Sequence, residues 1–332
     1  MPNTTPPIDN ASTLDFILEK ARDAHCNIYP IAAITKERKG ETLSEMVELK
    51  NLGAVGFSDD GKGVKDSLLM RRAMEYSLML NVPILEHCED ENLSIGGSMN
   101  EGYTSTVLGL QGIPKESEEI MVARDLLLAE LTGARLHICH VSTKRSVELI
   151  REAKKRGVKV TCEVTPHHFT LTEEAVKSFD TNTKVNPPLR TKEDIKAIEK
   201  GLKDGTIDAI VSDHAPHLST EKEFEYENAP FGMIGLQTTL SLVMKQLVER
   251  EILTLSEAVE KLTINPAKIL NLKKGQIKIG HDADLAIMDP RKQWQFRQED
   301  IKSLSINSPF IGWEFKGKAV CTIVGGRIEF SE

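Results

Sequence analysis

Short runs of β-branched and apolar residues alternate along most of the chain with longer stretches whose apolar positions recur every three or four residues. The short runs are NIYPIAA (27–33), AVGFS (54–58), PILEH (83–87), RLHICHV (135–141), KVTCEV (159–164) and AIVS (209–212), and each predicts a strand. The stretches at 66–80, 117–131 and 191–202 carry the helical period. Ser12 with Asp15, and Thr191 with Asp194, have the spacing of capping boxes and predict helix starts. Six strand–helix units in succession predict a parallel sheet, open or closed into a barrel.

The rhythm changes near Leu272. From there GQIKIGHDADLAIMDP and KGKAVCTIVGGRIEF predict short strands separated by Gly and Asp turns, with Asn265-Pro266-Ala267 closing the part before them. The pattern thus divides the chain into an α/β unit over 1–271 and a small β-domain over 272–332. A long irregular loop, about 214–232, follows the last α/β strand, and loops of that length often cover binding sites.

With 332 residues, 40% of them hydrophobic, the chain can bury one large core and a smaller one. Its net charge of −8 argues against nucleic-acid and anionic-membrane partners, which require a basic surface. The five cysteines form no CxxC pair and are expected to be reduced thiols, which fits a cytoplasmic setting. The first residues lack the basic and apolar regions of a signal peptide, and no apolar run approaches the roughly 20 residues of a membrane span.

Four of the strands end in side chains able to bind metal: Asp59-Asp60 after AVGFS, His87 after PILE, His140 after RLHIC and Asp213 after AIVS. In parallel barrels these ends open onto one face, so residues distant in sequence converge there. Singly, each is an ordinary cap or hydrogen-bonded side chain; together they suit zinc or a similar divalent ion. Strand alternation puts His137 on the opposite face from His140 and outside the site. His25 and His281 are expected in solvent. His167 and His168 end another strand, either orienting ligands or as a hydrogen-bonded loop pair.

MPNTTPPIDN, GFSDDG, EHCED, HICHVS, CEVTPHH, KVNPPLR, SDHAPH and GxIxxGxDADL, in this order, resemble the bacterial class I dihydroorotases of the amidohydrolase superfamily. The resemblance runs from Met1 to the C-terminus. It implies a (β/α)8 TIM-type barrel beside a small β-sandwich, and reversible hydrolysis of dihydroorotate to N-carbamoyl-aspartate in pyrimidine biosynthesis. It also implies that Asp60 bridges two zinc sites, that His87 and His140 bind the second ion, and that Asp213 is both ligand and general acid/base. Asn3, Asn186, His217 and the Phe231–Gly232 backbone would hold the substrate. Hydantoinases, dihydropyrimidinases and allantoinases are the alternative enzymes, but they usually place a carboxylated lysine where Asp60 stands, and Lys62 comes two residues too late.

The family's HxH segment precedes its MPNT motif, whereas here MPNT opens the sequence and no HxH pair occurs. The resemblance therefore implies an incomplete barrel, with the first two strands and part of the sandwich missing. Such a chain is expected to aggregate or to pair with another polypeptide, a further copy of itself or an aspartate carbamoyltransferase. A non-catalytic subunit scaffolding that transferase is the remaining reading.

Overall fold

The computed structural model describes residues 1–332. All six predicted α/β strands form, each shorter than its apolar run: β1 (Ile31–Ala32), β2 (Gly56–Phe57), β3 (Ile84–Glu86), β6 (Leu136–Ile138), β7 (Val160–Val164) and β8 (Ala209–Ile210). They make one sheet in the order β1-β2-β3-β6-β7-β8, with parallel pairing throughout. The outer strands β1 and β8 are each paired on one side only. Between β3 and β6 the chain leaves the sheet to form a separate parallel ladder of β4 (Met99–Asn100) and β5 (Gly112–Ile113). The buried Arg190 guanidinium fastens this ladder by donating to Asn100 Oδ1 and Ile113 O, both at 2.9 Å.

Helices follow the strands as predicted. Ser67–Leu80 starts at Asp66, whose carboxylate accepts from Leu69 N, and Lys192–Lys203 carries the Thr191/Asp194 capping box. The first helix corrects its expectation. It spans Ala11–Ala21 and its cap is Asn10, not Ser12, because Asn10 takes the extended conformation and its side chain accepts from Thr13 N. A core of 39 buried residues lies between these helices and the sheet.

Asn265-Pro266-Ala267 lies inside a short helix, Ile264–Ile269. The tail then forms an antiparallel sheet of β9 (Leu285–Gln295), β10 (Glu314–Val324) and β11 (Arg327–Ser331). Two of these strands run 11 residues, longer than the turn residues suggested, because register shifts absorb Gly317 and its neighbours without ending the ladder. Phe296, Phe310 and Phe315 from this region form a second core with Val185, Leu189 and Met233, so the small sheet sits against the long loop and the segment before it. The architecture is an α/β fold built on a parallel sheet, with a small antiparallel sheet at its C-terminal end.

Candidate active site

Asp60, His87, His140 and Asp213 each lie just past the C-terminal end of a strand: β2, β3, β6 and β8. Because β2, β3 and β6 are neighbours, the first three side chains meet. His87 Nδ1 lies 3.1 Å from His140 Nε2 and 3.9 Å from Asp60 Oδ1, and His140 Nε2 lies 3.3 Å from Asp60 Oδ1. All three residues are buried. Asp213 stands outside this tight triad but lines the same cavity of about 640 Å³, along with Asp60, His140, Asn3 and His217.

The backbone explains the convergence. His140 has φ 30° and Asp213 φ 44°, in the left-handed region that non-glycine residues seldom occupy. At His140 this twist breaks the alternation of the strand. His137, three residues earlier, therefore lines the same cavity instead of the opposite face, which corrects the expectation from period two. Its ring bonds Thr161 Oγ1 at 2.8 Å and Glu163 Oε2 at 2.9 Å across to β7.

The two adjacent aspartates have different surroundings. Asp59 accepts from Ile34 N at 2.9 Å and Thr35 N at 3.0 Å, and also from the Thr35 hydroxyl; it ties β1's exit to β2's. Asp60 faces the histidines. Burial pushes its carboxyl upward, but the His140 hydrogen bond and the charges of His140 and His87 outweigh burial and hold it at about 2. Burial likewise disfavours a charged His140, yet Asp60 holds it up at about 9. Burial raises Asp213 as well; the charges of His140 and His87 oppose the rise, and the nearby Asp60 carboxylate adds to it.

The triad fits a metal ion. Tetrahedral zinc with bonds of about 2.0–2.1 Å holds its ligand atoms roughly 3.3–3.4 Å apart. The three separations here, 3.1, 3.3 and 3.9 Å, bracket that spacing. Two imidazole nitrogens and a carboxylate oxygen, all on buried residues, form a donor set with one shared focus.

Of the polar residues around the triad, Glu89 carried no signal of its own in the sequence. Glu89, two residues past His87, accepts at one oxygen, Oε2, from His87 Nε2 at 3.2 Å and from Asn186 Nδ2 at 3.0 Å. Burial would raise its pKa, but the His87 bond and charge, with Asn186 and Ser94, hold it at about 2. Only its place beside a ligand in EHCED could have pointed to it. His168 is a peg, bonded to Thr165 Oγ1 at 2.7 Å and donating to Pro187 O at 2.8 Å, next to Asn186. His167 is buried with Nε2 unpartnered. Burial keeps both neutral, His168 down at about 3. His25 is exposed as expected, paired with Glu329; His281 is only half exposed.

The long loop closes on itself at its neck. His217 Nε2 donates to Phe231 O at 2.8 Å, Gly232 N donates to Lys184 O at 2.8 Å, and Asn307 Nδ2 donates to Gly232 O at 3.1 Å. The Gly232 N–H is thus already engaged within the chain, and neither Phe231 nor Gly232 lines the cavity. Two buried lysines fasten the loop body: Lys184 Nζ donates to Glu227 O at 2.8 Å, and Lys222 Nζ to Pro230 O at 2.7 Å and Thr181 O at 3.1 Å.

The chain is similar to several known proteins. Residues 1–146 match a family described as Dihydro-orotase-like, and residues 232–330 match one described as Amidohydrolase family. The chain is 54% identical over 333 residues to a dihydroorotase of Syntrophus aciditrophicus, covering 100% of this chain and 78% of that protein. It is 55% identical over 328 residues to one of Pelotomaculum thermopropionicum, covering 99% and 77%. Among solved structures, the L-hydantoinase of Arthrobacter aurescens superposes with a TM-score of 0.86 at 27% identity, covering 100% of this chain and 76% of that one. A dihydropyrimidinase from Brevibacillus agri gives 0.83 at 21% identity, covering 96% and 73%, and shares the fold.

Proposed function

The chain belongs to the dihydroorotase family, and from that premise we propose that its strand-end cluster hydrolyses the ring amide of dihydroorotate, reversibly, to N-carbamoyl-aspartate. One observation carries the proposal: Asp60, His87 and His140, spread over three strands, bring their donor atoms within 4.8 Å of one another. These residues would hold a divalent ion, zinc in our reading, with Asp213 beside it. Three protein ligands leave a catalytic zinc one open position. When bound, such an ion supplies Lewis acidity and lowers the pKa of water to about 7.

The remaining steps belong to this chain's own side chains. Asp213, whose carboxyl burial raises from its ordinary value, takes a proton from the attacking water. As oxygen bonds to the carbonyl carbon and the ring C–N bond breaks, Asp213 returns that proton to the departing nitrogen. Closure of carbamoyl-aspartate runs the same transfers backwards. Asn3, Asn186 and His217 orient the substrate from the rim, and the Phe231–Gly232 segment positions His217 by the bond at the loop neck. The same reading takes the six parallel strands as part of a (β/α)8 barrel over 1–271, and β9–β11 as part of a β-sandwich over 272–332. A further copy of the chain or an aspartate carbamoyltransferase is the partner it suggests, and the cytoplasm the compartment. No helix is long and apolar enough to cross a membrane.

A second reading, hydrolysis of hydantoin or a dihydropyrimidine, draws on the 0.86 TM-score to the L-hydantoinase. Turnover of dihydroorotate, hydantoin and allantoin by the zinc-loaded protein separates the two. Dihydroorotate hydrolysis with little hydantoin turnover is expected, and hydantoin turnover alone would overturn the proposal. A scaffold without catalysis would show no bound divalent ion.

A further inference from the structure

Glu89 lies outside the metal triad and does not line the cavity, yet it touches both His87 of the triad and Asn186, which the proposed function assigns to the substrate. It is buried, and a single oxygen, Oε2, receives His87 Nε2 at 3.2 Å and Asn186 Nδ2 at 3.0 Å. A carboxylate can only accept, so both neighbours must present N–H to it. Two consequences follow from valence alone. With its hydrogen on Nε2, a neutral His87 must carry its lone pair on Nδ1, and Nδ1 is the atom 3.1 Å from His140 Nε2 and 3.9 Å from Asp60 Oδ1. With Nδ2 held by Glu89, the Asn186 carboxamide cannot flip, so its Oδ1 lies on the side away from Glu89.

We infer that Glu89 is a positioning residue that sets the tautomer of His87 for metal binding and fixes the Asn186 amide so that its oxygen, an acceptor, is what a substrate N–H meets. The inference deepens the dihydroorotase reading and rests on it for the substrate's identity. It makes the site selective for ligands presenting an N–H toward Asn186. A ring amide does so, and an ester or lactone with oxygen at that place does not. Asn186 Nδ2 and His87 Nε2 lie 3.3 Å apart, and both converge on the same Glu89 oxygen.

The test uses the apo protein, its Glu89→Gln and Glu89→Ala variants, and cobalt(II) as the probe. Glutamine can place its carbonyl oxygen where Oε2 lies and keep both bonds without the charge; alanine keeps neither. Cobalt affinity is expected to fall 10–100-fold in Glu89→Ala, the usual cost of losing a partner that orients a ligand, and to return to within about tenfold of wild type in Glu89→Gln. Nitrogen-15 spectra of the apo proteins should show His87 protonated on Nε2 in wild type and Glu89→Gln, and mixed tautomers in Glu89→Ala. Cobalt affinity and visible spectrum unchanged in Glu89→Ala would overturn the inference, as would a wild-type His87 carrying its proton on Nδ1. A wild-type protein that binds cobalt and shows the variant effects, but does not turn over dihydroorotate, would sink the substrate assignment and leave the role of Glu89 standing.

Discussion

Replacing Gly232 with alanine tests whether the loop neck holds His217 in place. Gly232 has φ 131°, and an added Cβ would come within 2.6 Å of Ala215 Cβ, 3.0 Å of His217 Nε2 and 3.2 Å of Ala215 O. The backbone conformation costs an L-residue about 1–3 kcal/mol, and overpacking of this kind costs a further 1–3 kcal/mol or so. Against that combined strain of roughly 2–6 kcal/mol stand three hydrogen bonds at the neck, from His217, Asn307 and Gly232 itself, at about 1 kcal/mol each. The two sides are comparable, and both are smaller than the roughly 5–15 kcal/mol that holds a typical fold. The neck should therefore open locally while the parallel sheet and its helices stay folded. Local opening caps the global cost near 3 kcal/mol, about 4–5 °C in Tm at roughly 2.1 cal/mol/K of unfolding entropy per residue. The loss of an oriented His217 should raise KM for dihydroorotate by about tenfold, equivalent to 1.4 kcal/mol. Gly109→Ala is the control, since its φ is 71° but nothing lies within 4 Å of the added carbon. Calorimetry, steady-state kinetics and proteolysis of the 219–228 segment read the outcome. Wild-type Tm and KM in Gly232→Ala, with an uncleaved loop, would refute the reasoning.

The paired aspartates should separate cleanly. Asp59→Asn removes one acceptor from a buried cluster of three donors and should cost about 1–3 kcal/mol in urea unfolding, with metal content retained. Asp60→Asn should abolish stoichiometric zinc binding by atomic absorption, and the reverse pattern would exchange their roles. Lys184 and Lys222 give a pH signature, because burial lowers both from 10.5 to about 8 in the folded chain. Below about 8 both states carry the protons and these lysines give no slope. Between about 8 and 10.5 the unfolded chain binds more protons, so stability should rise with pH, by up to about 1.4 kcal/mol per unit for each lysine. Lys222→Met should flatten the urea midpoint against pH over that window, and an identical slope in variant and wild type would contradict the assignment.

The positions of the six parallel strands were legible because apolar runs and helical periods are local properties of the chain. So was the placing of Asp60, His87, His140 and Asp213 at strand ends. Strand limits were less legible: Asn27-Ile28-Tyr29 carries strand-forming residues but lies exposed, and pairing begins only at Ile31. The Ser12 spacing misled because Asn10, two residues earlier, is extended and caps Thr13 N, which leaves Ser12 inside the helix.

What the sequence determined by itself was the alternation of elements and the residue types at their ends, since both depend on neighbours within a few positions. What the tertiary structure decided was contact. β3 pairs with β6 across the β4–β5 excursion, which brings His87 to His140 over 53 positions. A positive φ at His140, not strand alternation, turns it and His137 into one cavity. Glu89 gained its two donors only when Asn186, 97 residues away, arrived beside His87. Such pairings depend on sheet order and backbone twist, which are set by packing of the whole core and leave no periodic trace along the chain.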